Sequence, residues 1–184
     1  GSNTYTGATT VSTGVLNITG LLGSGTYANT ISNSGTLKFG TSANQTVSGV
    51  ISGAGALTKT GLKQLVLSGD NSSMSGAVTV VAGTIQLGHA SAFGDGTNTV
   101  TVESGANVDL NGKSISNNFE IAGTGDSAGA IGNTSTTGVT LSGNITLQGT
   151  TNLIKSSGDL TFGGTIRGTS GEDNPLTISA ASKD

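Results

Sequence analysis

Cysteine and tryptophan are absent from the 184 residues, proline occurs once, and aromatic residues make up 3% of the chain. The absence of cysteine excludes disulfide bonds and thiolate metal sites. The single proline, Pro175, lies near the end of the sequence, where it cannot interrupt a central ladder of β-strands. With so few large side chains, the composition does not favour a round core of the ordinary globular kind.

Charge is also scarce, because acidic and basic residues together form 9% of the chain and the formal net charge is −3. No basic patch is available to neutralise phosphates, so we expect no nucleic-acid partner. No apolar run approaches the roughly 20 residues that span a bilayer, and the first residues lack the basic and apolar regions of a signal peptide. We therefore expect a segment that does not insert into a membrane.

Glycine is abundant, with 32 residues, and serine and threonine fill much of the remainder. Chains of this composition are often disordered, because they bury too little apolar surface to offset backbone entropy. Here, however, the mean hydropathy is +0.04, and valine, isoleucine and leucine occur in short alternating patches. That alternation favours β-strands over a flexible linker.

An internal repeat organises the chain. Residues Gly7–Ile18 align without gaps with Gly76–Leu87, and an asparagine in a polar turn, Asn3 or Asn71, precedes each copy. The second half of this unit, a glycine followed by a short alternating strand, recurs throughout. Most of the leading glycines are 20 to 22 residues apart: Gly14, Gly35, Gly55, Gly83, Gly105, Gly138 and Gly158. This spacing predicts an all-β chain that forms a parallel β-helix (β-solenoid) with roughly 20–22 residues per turn.

Alternation within each copy predicts which side chains point inward. Hydrophobic residues occupy every second position, and polar residues stand between them. We expect an inward set of Val11, Leu16, Ile18, Val80, Ile85 and Leu87 and an outward set of Thr10, Asn17, Thr79 and Gln86. The leading glycines are expected to adopt positive φ angles at bends between sheets.

Two intervals between leading glycines exceed one turn, and they predict insertions or divergent turns after Gly55 and after Gly105. The second interval contains an alternating strand, 116–123, in which Phe119 and Ile121 share a face. The stretch that follows, 123–137, is rich in glycine, serine and threonine. We expect it to be a protruding loop centred on residues 130–132.

Four consecutive stretches resemble a known family. They read in order like the pattern G-L-T-K-x-G, L-x-L-S-G-x-N, Y-x-G-x-T-x-V and A-G-x-L-x-L-G of the passenger-associated, or autotransporter-associated, β-strand repeat. The matching residues are 54–61, 65–71, 75–80 and 82–88, and residues 1–11 resemble the second half of the same pattern. Met74 departs from the pattern because it stands about where the repeat has tyrosine, and after residue 112 the match is to isolated strands.

The resemblance implies a right-handed parallel β-helix that is exported across the outer membrane of a Gram-negative bacterium by a separate C-terminal barrel. Residues 1–184 would form a single β-helix segment of a longer passenger, located at the cell surface or outside the cell. Its implied role is that of a non-catalytic structural stalk and adhesion scaffold. The partners would be a host receptor, a glycan or another copy of the chain.

No catalytic residue, cofactor site or metal site is predicted. The segment Gly125–Gly129 is similar to the nucleophile segment of chymotrypsin-like proteases but departs at its fourth residue, and the single histidine, His89, has no carboxylate near it in sequence. The acidic residues are scattered in a way that is typical of solvated turns. The candidates among them for carbohydrate chemistry are Asp70, Asp95, Glu103, Asp109, Glu120, Asp159, Glu172 and Asp173.

Two further functions are known for parallel β-solenoids. Some parallel β-helices are carbohydrate-active enzymes that use carboxylates clustered on one face, and a flat solenoid with rows of outward threonine could bind ice or associate with itself. The best local threonine motif is Thr97–Thr101, which we do not expect to be repeated at the same register in successive turns, so no flat threonine array is expected. A non-catalytic surface scaffold therefore remains the preferred hypothesis.

Overall fold

The computed structural model describes residues 1–126, 129–149, 152–169 and 175–180. The chain coils into a stack of parallel strands of about eight turns, because each of the two long sheets contains eight strands in sequence order. No α-helix occurs in these ranges, and one 3₁₀ turn lies at Gly23–Gly25. The prediction of an all-β parallel solenoid is confirmed, and its right-handed sense stays a prediction.

Sheet A is one of the two long sheets of the molecule. Hydrogen bonds join its eight strands in one parallel ladder. The strands are Val15–Ile18, Thr36–Phe39, Ala56–Lys59, Val78–Val80, Thr99–Val102, Asn118–Ala122, Ile145–Gln148 and Ile166–Gly168.

Sheet B follows sheet A along each coil and also has eight parallel strands. They are Thr26–Tyr27, Gln45–Val47, Leu65–Leu67, Gly83–Leu87, Ala106–Asp109, Ile131–Asn133, Asn152–Ser156 and Leu176–Ala180. A short parallel pair, Ser2–Asn3 with Leu21–Leu22, lies at the first coil.

Sheet C closes the coil but is interrupted. It consists of a three-stranded part and a two-stranded part, joined to neighbouring coils by single bridges at Met74 and Ile115. Its strands are Thr9–Val11, Ile31–Asn33, Ile51–Ser52, Val139–Leu141 and Leu160–Phe162.

One inward row of sheet A measures the length of a coil. Its members pair directly with one another and are separated by 21, 20, 21, 22, 19, 26 and 21 residues: Leu16, Leu37, Leu57, Val78, Val100, Phe119, Ile145 and Ile166. The insertion expected after Gly55 is wrong, because Gly55 and Gly83 precede strands of different sheets. Gly105 and Gly138 likewise precede strands of different sheets, but the coil between Phe119 and Ile145 does contain extra residues, as expected for this part of the chain.

Aliphatic side chains fill the interior. Leu37, Leu57, Val78, Ile85 and Leu87 are all 0% exposed. Burying a side chain of this size contributes about 1.5–3 kcal/mol each, so stacking the coils supplies a continuous core. Of the predicted inward set, Leu16 is half-buried, since its strand lies at the edge of sheet A.

The two aligned repeat copies occupy different sheets. Thr9–Val11 lies in sheet C, whereas the corresponding Val78–Val80 lies in sheet A, and Val15–Ile18 and Gly83–Leu87 are displaced in the same way. Each copy therefore encodes a strand, a bend and a strand. The sheets are similar enough for this unit to fit at more than one corner of the coil.

The protruding loop expected at 123–137 is wrong at its centre. Ala130 and Ile131 are 0% exposed, and Ile131–Asn133 is a strand of sheet B. The physical reason is that Ile131 continues the inward row between Val108 and Ile154. The glycines around it gave the segment the composition of a loop.

Candidate functional site

The interior is packed with side chains, so the outer faces of the three sheets are the candidate functional surfaces. On sheet A, the central outward row runs through all eight strands in register. Its members in coil order are Asn17, Lys38, Thr58, Thr79, Thr101, Glu120, Thr146 and Arg167. Thr79 thus faces outward as predicted.

Threonines in this row align over three successive coils, at Thr58, Thr79 and Thr101. This corrects the expectation that the threonines share no register. The threonine array is short, however, because Lys38 precedes it and Glu120 follows it.

A cluster built around Asp109 covers part of the outer face of sheet B. The side chain points outward from its strand, yet the residue is 3% exposed. Its carboxylate accepts hydrogen bonds from Gln86 Nε2 at 2.9 Å, from Asn111 N at 3.0 Å, and from Thr134 N and Oγ1 at 3.0 and 2.8 Å. Four donors compensate the buried charge.

Residues 123–126 and 129–130, here called the sheet B cover, lie against the same face. Asn107 Nδ2 donates to the carbonyl of Gly129 at 2.6 Å, and Thr84 Oγ1 donates to Asp126 Oδ2 at 3.3 Å. Asn107 is 1% exposed as a result. Ser127 of the protease-like segment lies outside the described residues.

On the side of sheet C, the coil brings His89 next to Asp70. Nδ1 of His89 is 3.9 Å from Asp70 Oδ1 and accepts a hydrogen bond from Ser91 N at 3.0 Å. Hydrogen bonds from Ser72, and also the charge of His89, hold the pKa of Asp70 below its usual value. The two residues are far apart in sequence and meet only because their coils are neighbours in the stack, so the sequence alone did not indicate the pair.

A shallow groove of about 310 Å³ opens beside this pair, where sheet C is interrupted. Most of its polar lining is hydroxyl and amide groups, from Ser91, Ser114, Ser116 and Asn117, with Asp95 at its edge. Thr97 donates two hydrogen bonds to Asp95 Oδ1, from Oγ1 at 2.6 Å and from the backbone N at 2.9 Å. These bonds lower the pKa of Asp95 and form a turn.

The carboxylates are distributed over different parts of the coil. Asp70 and Asp95 lie beside the interrupted part of sheet C, Asp109 on sheet B and Glu120 on sheet A. Within the described ranges, no three His, Cys, Asp or Glu side chains are grouped closely enough to hold a metal ion. Glu172 and Asp173 fall outside those ranges.

Buried asparagines connect neighbouring coils. Asn71 Oδ1 accepts from Ile51 N at 2.7 Å, and its Nδ2 donates to the Ala92 carbonyl at 2.8 Å. Asn117 donates to Asn98 Oδ1 at 2.6 Å. The asparagine that precedes the second repeat copy therefore satisfies backbone groups of the coils on both sides.

Lys59 was not singled out in the sequence. The residue is 0% exposed, and its ammonium donates to the carbonyls of Gly61 and, at 3.2 Å, Ala82. Burial lowers the pKa of Lys59 to about 8. The sequence feature that predicts its burial is its position two residues after Leu57, because the alternation that turns Leu57 inward also turns Lys59 inward.

Comparisons with known proteins agree with this architecture. The chain matches the passenger-associated-transport-repeat family over residues 1–18 and 57–87. Over 125 residues, 67% of this chain, it is 36% identical to the adhesin BmaC autotransporter of Brucella suis biovar 1 (strain 1330), of which it spans 3%. No solved structure is significantly similar to it.

Within the described ranges, no helix is long and apolar enough to cross a bilayer. The repeat and the similarity to an adhesin place the chain at the cell surface or outside the cell of a Gram-negative bacterium. The chain carries autotransporter passenger repeats, and it is a passenger segment of an autotransporter.

Proposed function

We propose that this passenger segment is a non-catalytic structural stalk and adhesion scaffold. The observation that supports this most directly is the unbroken eight-strand ladder of sheet A, whose inward row is apolar throughout. A stack of this kind extends by about 4.8 Å for each coil. It can therefore hold surfaces at a fixed distance from the cell.

The outer faces support an adhesive role. They present hydroxyl, amide and isolated charged groups in regular rows, which suits polar contact with a glycan or a receptor surface. A relative of the chain is named an adhesin, and the partners we propose are a host receptor or a host glycan.

Adhesion of beads coated with the purified chain to host cells tests this proposal. A matched variant, Gly76→Val, keeps the surface chemistry but breaks the stack, because a Cβ at Gly76 would lie 2.0 Å from the Gly55 carbonyl oxygen. We expect adhesion by the native chain and its loss in the variant. A glycan panel incubated with the chain should be bound without being cleaved.

Two results would contradict the proposal. One is equal adhesion by the native chain and by Gly76→Val, which would show that the folded rod is not needed. The other is the release of cleaved glycan by the native chain, which would identify an enzyme.

A further inference from the structure

Of the three outer faces, that of sheet A is the longest without interruption. Its eight strands form a single ladder, whereas sheet C is broken and part of sheet B is covered. An uninterrupted face of this length is suited to lateral contact with another elongated surface.

The order of side chains in the central row of sheet A is symmetric in charge. Lys38 lies two coils before Thr79, and Glu120 lies two coils after it. Thr58 and Thr101 occupy the positions between them. The row therefore reads cation, threonine, threonine, threonine, anion.

Both charged groups are available for further contacts. Within the described residues Lys38 makes no hydrogen bond or ion pair, and it is half-buried. Glu120 Oε2 accepts one bond from Gln148 Nε2 at 3.1 Å, which leaves acceptor capacity on the carboxylate.

We propose that the outer face of sheet A is a self-complementary interface for a second copy of this chain, packed antiparallel. A twofold axis along the strand of Thr79 reverses the coil order and places the row opposite itself. Lys38 then faces Glu120 of the second copy, and Thr58 faces Thr101 of the second copy. Such an interface is isologous, so each charge pair occurs twice.

The charges also discriminate between registers. Moving the axis by one coil, to Thr101, would place Lys38 opposite Arg167 of the second copy. Placing the axis at Lys38 or at Glu120 would set like charges against each other. Like-charge contacts disfavour these arrangements. Among axes placed at the five strands from Lys38 to Glu120, only the axis at Thr79 sets opposite charges against each other.

The expected association is weak in solution. Seven overlapping strands spaced about 4.8 Å apart and about four residues wide give a face of roughly 450 Å² per copy, less than the roughly 800 Å² of a standard interface. Chains crowded on one cell or on two apposed cells would associate more strongly through multivalency. The inference deepens the proposed adhesive function by naming a partner, and it rests on that function.

Sedimentation of the purified chain over a concentration series, at low and high salt, tests the interface. We expect a concentration-dependent dimer that salt weakens. Lys38→Glu or Glu120→Lys alone should weaken association by roughly tenfold, because two charge pairs per dimer become repulsive. The double variant Lys38→Glu/Glu120→Lys should restore it, and Lys63→Glu, outside the row, should change little.

The proposal is wrong if the native chain stays monomeric throughout the series, or if the double variant associates no better than the single variants. Circular dichroism of each variant should show the native β-spectrum, which separates a lost interface from a lost fold. If the chain is monomeric but beads coated with it still adhere to host cells, this interface is contradicted while the proposed adhesive function is retained.

Discussion

Glycine acts in two physically different ways in this coil. Gly83 and Gly105 lead neighbouring strands of sheet B and have φ angles of +70° and +84°, as the bend hypothesis predicted. At Gly35 and Gly55 the backbone is not left-handed. There a Cβ would lie 2.6 and 2.4 Å from the carbonyl oxygen of the preceding coil, so close stacking requires glycine.

The substitutions Gly83→Ala and Gly105→Ala separate the effect of a positive φ angle from the effect of close stacking on the preceding coil. Both positions have positive φ, but a Cβ at Gly83 would lie 2.4 Å from the Gly61 carbonyl oxygen, whereas one at Gly105 meets nothing within 4 Å. Gly105→Ala should lower the unfolding free energy by about 1 kcal/mol. Gly83→Ala should lower it by about 3 kcal/mol, since backbone must also shift. Equal losses in chemical denaturation would contradict the steric account.

Lys59 contributes a pH dependence that is unusual for a lysine. Its pKa is about 8 in the folded chain, below the ordinary lysine value of 10.5. Between these values the unfolded chain binds the proton and the folded chain does not, so the stability rises with pH.

Lys59→Met provides the comparison. From pH 7 to pH 10 the unfolding free energy of the native chain should rise by roughly 2 kcal/mol relative to the variant. Other titrating groups are common to both proteins and cancel in the difference. Parallel pH profiles of the two proteins would show that the ammonium is not desolvated.

Residue-level prediction succeeded where alternation and chemistry agree. Val80, Ile85 and Leu87 point inward as expected and are fully buried. Lys59 was missed because its chemistry favours solvent while its register favours the core. The His89–Asp70 pair was missed because sequence distance carries no information about neighbours one coil away.

At the scale of elements, the sheet B cover and the Asp109 cluster hold the longest coil in place. Asp109 joins its own strand to Gln86 in the preceding strand and to Thr134 after the following strand. One buried carboxylate thus links three consecutive coils.

Asp109→Ala should destabilise this region more than the rest of the molecule. Four donors would lose their charged acceptor, at a cost of about 2–4 kcal/mol. Hydrogen exchange should show faster exchange of the Ile131–Asn133 amides, with little change in Leu57–Lys59. Asp95→Ala, at an exposed turn, is the control and should leave both segments protected. Uniform acceleration across all coils would contradict a local role.

The sequence predicted that the elements are β-strands, but it did not always predict their positions along the chain. The period near 21 residues gave the coil length, yet glycines of different corners were counted as one series, which created a false insertion after Gly55. The sequence predicts a loop at the strand Ile131–Asn133 because the strand is short and its neighbouring residues are small. Its role became evident through stacking on Val108 and Ile154.

At the scale of the whole molecule, stability and function follow from repetition. Each coil contributes similar apolar residues to the interior, so a chain with few large side chains still buries a continuous core. The same repetition places outward residues in straight rows. A row with opposite charges at equal distances from its centre supports the proposed contact between rods.

Distance measurement between spin labels tests the stacking most directly. The chain has no cysteine, so Asn17→Cys/Thr146→Cys labels two sites in one outward row, six coil steps apart. Six steps of about 4.8 Å predict a narrow distribution near 29 Å between the backbones, measured on dilute protein. A broad distribution, or a separation much shorter or longer than this, would contradict a stack of parallel coils.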